Sequence, residues 1–145
     1  MLNGKNVLLA ITGSIAAYKS AYLIREFIKK GAQVKVIVTE SALQFVTKVT
    51  LSTLSKNPVY KDFIKNEETG QWNNHVDLGS WADLMVIAPA TANTISDLVS
   101  GKGNSFLLTT FLSCNAPVFV APAMDLDMFK NLSLIHISEP TRRRG

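Results

Sequence analysis

Residues 7 to 19, VLLAITGSIAAYK, constrain the fold of this chain more than any other stretch. Val7 to Ile11 is a continuous apolar run and reads as a buried strand. It enters Thr12-Gly13-Ser14 with no linker and continues into a helix. Backbone N–H groups at such a helix start carry partial positive charge and suit an anion. There is no GxxxxGK[ST], so the turn is not a Walker loop, and no GxGxxG, so the usual dinucleotide turn is absent. Gly13 permits a tight turn, and Ser14 can cap the helix and offer a hydroxyl. The reading is a turn for one phosphate.

The rest of the chain repeats the strand-then-helix alternation, which argues for an α/β fold: a doubly wound parallel sheet, Rossmann- or flavodoxin-like, in three layers. Strands are expected at Asn6 to Ile11, Val34 to Val38, Val59 to Ile64, Leu84 to Ala88 and Pro117 to Ala121. The first helix is expected from Ser14 to Lys30, with Ala17, Ala21, Ile24 and Ile28 as its apolar stripe and Gly31 ending it. Further helices are expected to start over Thr39 to Phe45 and to run from His75 to Trp81, Thr94 to Val99 and Ser105 to Ser113. Residues 1 to 132 read as one domain. Residues 133 to 145, SLIHISEPTRRRG, continue no pattern of the fold and read as translated adapter sequence or a truncation scar.

Composition narrows the class. Of the net charge of +4, three arginines and one glutamate belong to the last 13 residues, so the body is near-neutral. No basic stripe with interleaved aromatics is present, which argues against nucleic acid as a partner. No apolar run approaches the roughly 20 residues of a membrane helix, and no secretory leader is evident. A single cysteine, Cys114, excludes a disulfide framework and fits a reducing cytoplasm. Cys114 reads as a small core residue, and no His/Cys/carboxylate cluster has metal-ligand spacing, so no metal is expected.

In open parallel sheets, ligands bind at the carboxyl ends of the strands. Four of the expected strand ends carry polar turn residues: Thr12 to Ser14, Thr39 to Ser41, Pro89 to Thr94 and Pro122 to Asp125. Each could be ordinary loop and cap chemistry, since caps favour Ser, Thr, Asp and Asn. Their coincidence at one edge is the stronger signal. His75 could serve as a general base near neutral pH or simply sit at a helix start on the surface. Asp125 and Asp127 could meet a substrate amide or cap a helix. Trp72, Trp81 and Phe45 could stack on a ring, although core packing is the commoner role.

Five segments in this order, TGSIAAYK (12–19), VTESALQFV (38–46), NHVDLGSWAD (74–83), APATANT (88–94) and APAMDLDM (121–128), resemble the flavin-dependent cysteine decarboxylase family over about residues 4 to 132. The resemblance implies an FMN site: Gly13, Ser14 and Ile15 at the first turn, Thr39, Ser41 and Phe45 near the phosphate and ring, and Ala90, Thr91, Asn93 and Thr94 lining the flavin. It implies that His75 is the catalytic base and that Asn74, Ala123, Met124, Asp125 and Met128 bind substrate. At Asp125 the family's motif has Asn; an ionised carboxylate only accepts hydrogen bonds, whereas an amide also donates. The implied reaction is decarboxylation of 4′-phospho-N-pantothenoylcysteine to 4′-phosphopantetheine in coenzyme A biosynthesis. Flavin oxidation of the cysteine moiety to a thioaldehyde supplies the electron sink for departing CO₂. The family also implies a homo-trimer or dodecamer, and a clamp cysteine for the final reduction that has no match here, so that step is expected to fail in this chain. Within the same fold, a flavin prenyltransferase is disfavoured by the Gly13-Ser14-Ile15-Ala16-Ala17 turn, which is poorer in Gly and Ser than that enzyme's. A non-catalytic FMN-binding regulatory subunit is disfavoured because no long acidic tail is present.

Overall fold

The computed structural model describes residues 2–61, 64–66, 71–103 and 105–122. Five strands form one parallel sheet: β1 (Asn6–Ile11), β2 (Gln33–Val38), β3 (Val59–Tyr60), β6 (Leu84–Ala90) and β7 (Val118–Pro122), in the order β3-β2-β1-β6-β7. Between β3 and β6 in sequence, β4 (Ile64–Asn66) and β5 (Gln71–Trp72) pair antiparallel in a separate ribbon. The expected single strand from Val59 to Ile64 is therefore two short strands of different sheets.

Period-2 alternation along β1 divides its side chains between two cores. Val7, Leu9 and Ile11 face Ala17 and Ile24 of the first helical segment and Leu51 of the second. Leu8 and Ala10 face Leu78, Ile95, Phe106 and Phe111 on the opposite side. Helix α1 (Ser20–Lys29) and α2 (Lys48–Ser55) thus cover one face, and α3 (His75–Trp81), α4 (Ala92–Ser100) and α5 (Phe106–Ser113) the other. This is the doubly wound, three-layer arrangement expected from the alternation. Strand β1 is fully buried from Val7 to Ile11, in keeping with a central strand covered on both faces.

Further local differences separate the structure from the sequence expectation; among them, α4 starts at Ala92, two residues before the expected Thr94. The first helix opens as a 3-10 turn, Ile15–Lys19, before becoming α-helical at Ser20. The second helical stretch is a 3-10 turn, Ser41–Gln44, then a break, then α2, whose start is capped by Thr47 accepting from the Thr50 N–H at 3.2 Å. Strand β6 runs two residues further than expected, through the cis Ala88–Pro89 bond to Ala90. Helix α3 begins and ends where the sequence places it. Gly31 lies beyond α1 with φ +92°, a conformation that favours glycine.

Two connections set the position of the site. Strands run outward from β1 in opposite directions, to β2 on one side and β6 on the other. The crevice at their carboxyl ends is therefore the topological switch point, where ligands bind in open α/β sheets. Helix α3 is pinned at its other end to the opposite edge: Asn6 Nδ2 donates to Trp81 O at 2.9 Å, and the Asn6 N–H donates to Asp83 Oδ2 at 2.8 Å. The N-terminus of α3, with Asn74 and His75, consequently points toward the carboxyl edge.

Candidate cofactor and active site

Three loops are knitted together at the switch point. Thr12, directly after β1, is 1% exposed. Its N–H donates to Pro89 O at 3.1 Å, and its hydroxyl donates to the same carbonyl at 2.6 Å. The same hydroxyl oxygen accepts from the Thr91 N–H at 3.0 Å. From the other side, the Thr39 N–H donates to Ile11 O at 3.1 Å. Gly13 and Ser41 are in direct contact, since a Cβ on Gly13 would fall 2.5 Å from Ser41 Cβ. Glycine at 13 is thus needed for space between two loops.

The hydroxyls expected at the cofactor cap the local helical turns. Ser14 Oγ accepts from the Ala16 N–H at 3.1 Å. Thr39 Oγ1 accepts from the Ala42 N–H at 3.3 Å and lies 3.2 Å from Ser41 Oγ. Thr91 Oγ1 accepts from the Thr94 N–H at 3.2 Å and donates to Thr94 Oγ1 at 2.9 Å. Capping and ligand binding do not compete here, because a hydroxyl that accepts in a cap retains its proton as a donor. Ser14 and Thr94 each keep an O–H for an anion or a ring carbonyl. The backbone N–H groups of Gly13, Ser14 and Ile15 meet no acceptor among the described residues. Three successive amides at a helical start, flanked by hydroxyls, suit a single phosphate group.

The other expected contacts differ in exposure. Ile15 is 73% and Phe45 42% exposed, Asn93 and Ser41 are exposed, and Ala90 is fully buried. A groove of about 440 Å³ lies beside the knot, lined by Ala16, Lys19, Leu23, Ala88, Pro89 and Ala121 among others. It is mainly apolar and includes none of Gly13, Thr39 or Thr91. The hydrogen-bonded loops, not this groove, carry the polar groups a nucleotide requires.

His75 is half-buried at the first position of α3. Asn74 caps that helix, its Oδ1 accepting from the Val76 and Asp77 N–H groups, both at 3.0 Å. The Asn74 amide nitrogen remains a donor on an exposed residue. Gly79 allows α3 to lie close on α5: a Cβ there would sit 3.0 Å from Ser113 O and 3.3 Å from Cys114 Cα. Ala123, Met124, Asp125 and Met128 lie outside the described residues. Cys114 is fully buried at the end of α5. Trp81 packs under Lys35, whose Nζ is 4.5 Å from the ring centroid. No group of three or more His, Cys, Asp or Glu that could hold a metal is found among the described residues.

Two features were not singled out from the sequence. One is the Thr12 clasp; its signal was a polar residue directly after an apolar strand. The other is Lys61, which pairs with Glu40 at 2.7 Å and ties the β2 loop to the end of β3. The hydrogen bond and charge of Lys61 hold the exposed Glu40 carboxyl below the usual carboxylate range.

A doubly wound parallel sheet with three hydrogen-bonded loops at its switch point defines a flavodoxin-like α/β domain. The chain belongs to the Flavoprotein family, which matches residues 1–137. It is 44% identical over 142 residues to the coenzyme A biosynthesis bifunctional protein CoaBC of Bacillus subtilis (strain 168), covering 94% of this chain and 35% of that protein. It is 51% identical over 106 residues to a cysteine/cysteine sulfinic acid decarboxylase from an unknown prokaryotic organism, covering 66% of this chain and 29% of that protein. The chain thus spans about a third of the length of these curated relatives. Among solved structures it resembles the PPC decarboxylase mutant C175S complexed with pantothenoylaminoethenethiol, with a TM-score of 0.72 and 32% identity over 92% of this chain and 74% of that one.

Proposed function

We propose that this chain is an FMN-dependent carboxy-lyase domain acting on 4′-phospho-N-pantothenoylcysteine in coenzyme A biosynthesis. The observation that carries the reading is the knot of three loops at the switch point, with three uncommitted amides at Gly13, Ser14 and Ile15. Membership of the Flavoprotein family supplies the flavin. A turn without the second and third glycines of the dinucleotide fingerprint favours the mononucleotide form. The substrate class is supported by the CoaBC relative and the PPC decarboxylase structure.

In this reading Gly13, Ser14 and Ile15 hold the FMN phosphate, with Thr39 and Ser41 beside it. Phe45, Thr91, Asn93 and Thr94 line the ring, while Ala90, expected there too, is fully buried and only supports the loop from beneath. Bound flavin supplies the oxidation that gives departing CO₂ an electron sink. A neutral His75 imidazole accepts the proton of the substrate thiol. The Asn74 amide nitrogen donates to the substrate, and Ala123, Met124, Asp125 and Met128 complete the set of substrate-binding residues. A reducing cytoplasmic location fits the single cysteine. We also propose self-assembly as a homo-trimer or dodecamer, supported by exposed Ile15, Tyr18, Tyr22 and Val49 close to the cofactor turn.

One observation favours a second substrate reading. The relative named as a cysteine/cysteine sulfinic acid decarboxylase is 51% identical over the segment it shares. Purified chain reconstituted with FMN is expected to keep a flavin absorbance band near about 450 nm after desalting. Its loss rejects the cofactor site. CO₂ release from phosphopantothenoylcysteine, against cysteine and cysteine sulfinate, then decides the substrate. His75→Asn is expected to abolish thiol oxidation while retaining FMN; retained oxidation removes His75 from the role of base.

A further inference from the structure

We infer that Thr12 is the positioning residue of the cofactor site, its buried hydroxyl locking the phosphate turn to the loop that lines the ring. The inference rests on the FMN reading above. The last regular pair of the β1–β6 ladder is Ala10 with Ile87. Beyond it, Pro89 has no N–H, so the ladder cannot continue by backbone alone. Thr12 takes over. Its hydroxyl donates to Pro89 O at 2.6 Å and accepts from the Thr91 N–H at 3.0 Å, while its own N–H also reaches Pro89 O at 3.1 Å.

At 1% exposure this hydroxyl is spent on the protein and does not touch a ligand. What it controls is spacing. The next three residues along the chain, Gly13 to Ile15, carry the free amides. On the other side, Thr91 carries the Thr94 cap and fixes the Thr94 hydroxyl, which accepts from Thr91 Oγ1. Both sets must be held at a fixed separation for one ligand to engage them together. Removing the hydroxyl takes the acceptor from the part-buried Thr91 N–H and leaves Pro89 O with the Thr12 N–H alone, which frees the Thr91 loop to move.

Thr12→Val keeps the shape and deletes the hydroxyl. It is expected to weaken FMN binding roughly 10-fold, with Thr12→Ser staying within about threefold of wild type, the size of effect a buried hydrogen bond carries. Amide hydrogen exchange at Thr91 is expected to rise by about the same factor in Thr12→Val and not in Thr12→Ser. A Thr12→Val variant that melts lower yet binds FMN as wild type does overturns the inference, since the hydroxyl then serves stability alone. Weakened binding with unchanged Thr91 exchange also overturns it. If wild type itself does not bind FMN, the cofactor reading fails; the exchange measurement still decides the clasp, which unchanged Thr91 protection refutes. Should Thr12→Val not fold, Thr12→Cys, with its weaker hydrogen-bonding thiol, replaces it and is read in the same way.

Discussion

Gly13 and Asn74 show how single atoms define the candidate site. Gly13 is required because Ser41 occupies the space a side chain would need. Gly13→Ala is expected to cost about 1–3 kcal/mol of stability, the range for overpacking a tight contact. It should weaken FMN binding by more than that cost explains, because the loop that moves carries the amides proposed to hold the phosphate. Adding Ser41→Gly should return part of the loss in urea midpoint; no return would mean that the clash is not the cause. The cap made by Asn74 and its proposed contact with substrate can be separated chemically. Its Oδ1 caps α3, so Asn74→Ala should lose about 1 kcal/mol in a urea melt. Asn74→Asp keeps the accepting oxygen but has no donor nitrogen. It should hold the wild-type midpoint and raise the KM for substrate. An unchanged KM would leave Asn74 as a cap only.

At the scale of elements, α3 matters most, since it carries both Asn74 and His75. Its seven residues are too few to be stable by helix propensity alone. It stays in place through the Leu78 contact with the core, the bonds from Asn6 and the close approach to α5 at Gly79. Gly79→Ala sets two effects against each other. Alanine favours the helix by about 1 kcal/mol, but its Cβ would press on the backbone of Ser113 and Cys114, which cannot rotate away. The packing term is expected to win by about 1 kcal/mol, seen as a lower urea midpoint and a reduced kcat as α3 carries His75 outward; a stabilised variant would show that α5 yields. The boundaries of α3 were legible in the sequence because Asn74 is a strong cap and Leu78 a clear apolar anchor. The split of the second helix was not. Thr39 and Thr47 are both good caps, and no local signal says that the chain starts a turn at the first and a helix at the second. Strand β3 was overextended for a related reason: apolar alternation does not say which sheet a strand joins.

Across the whole molecule, one core ties an edge strand to the helix layer through an aromatic pair. Tyr60, ending β3, stacks on Phe106 of α5 with ring centroids 6.3 Å apart. Burial pushes its phenol above the ordinary tyrosine value. The unfolded chain therefore ionises first, so the contribution of protonated Tyr60 to stability is complete below about pH 10 and is lost as pH rises through the raised value. Tyr60→Phe should flatten that alkaline fall in melting temperature; an equally steep fall would place the loss elsewhere. The sequence by itself determined the alternating sheet, the class of each long element and the absence of a dinucleotide fingerprint at the first turn. Those properties are local: a five-residue apolar run, a cap and the absence of two glycines are each read within one window. Only the tertiary structure decided the strand order, and with it that the loops after β1 and β6 face each other across the switch point. It also decided that Gly13 exists for Ser41 and that Thr12 belongs to Pro89 and Thr91, 77 and 79 residues away. Contacts at that separation have no periodic trace in the chain, because they arise from how strands are ordered and not from what any one strand contains.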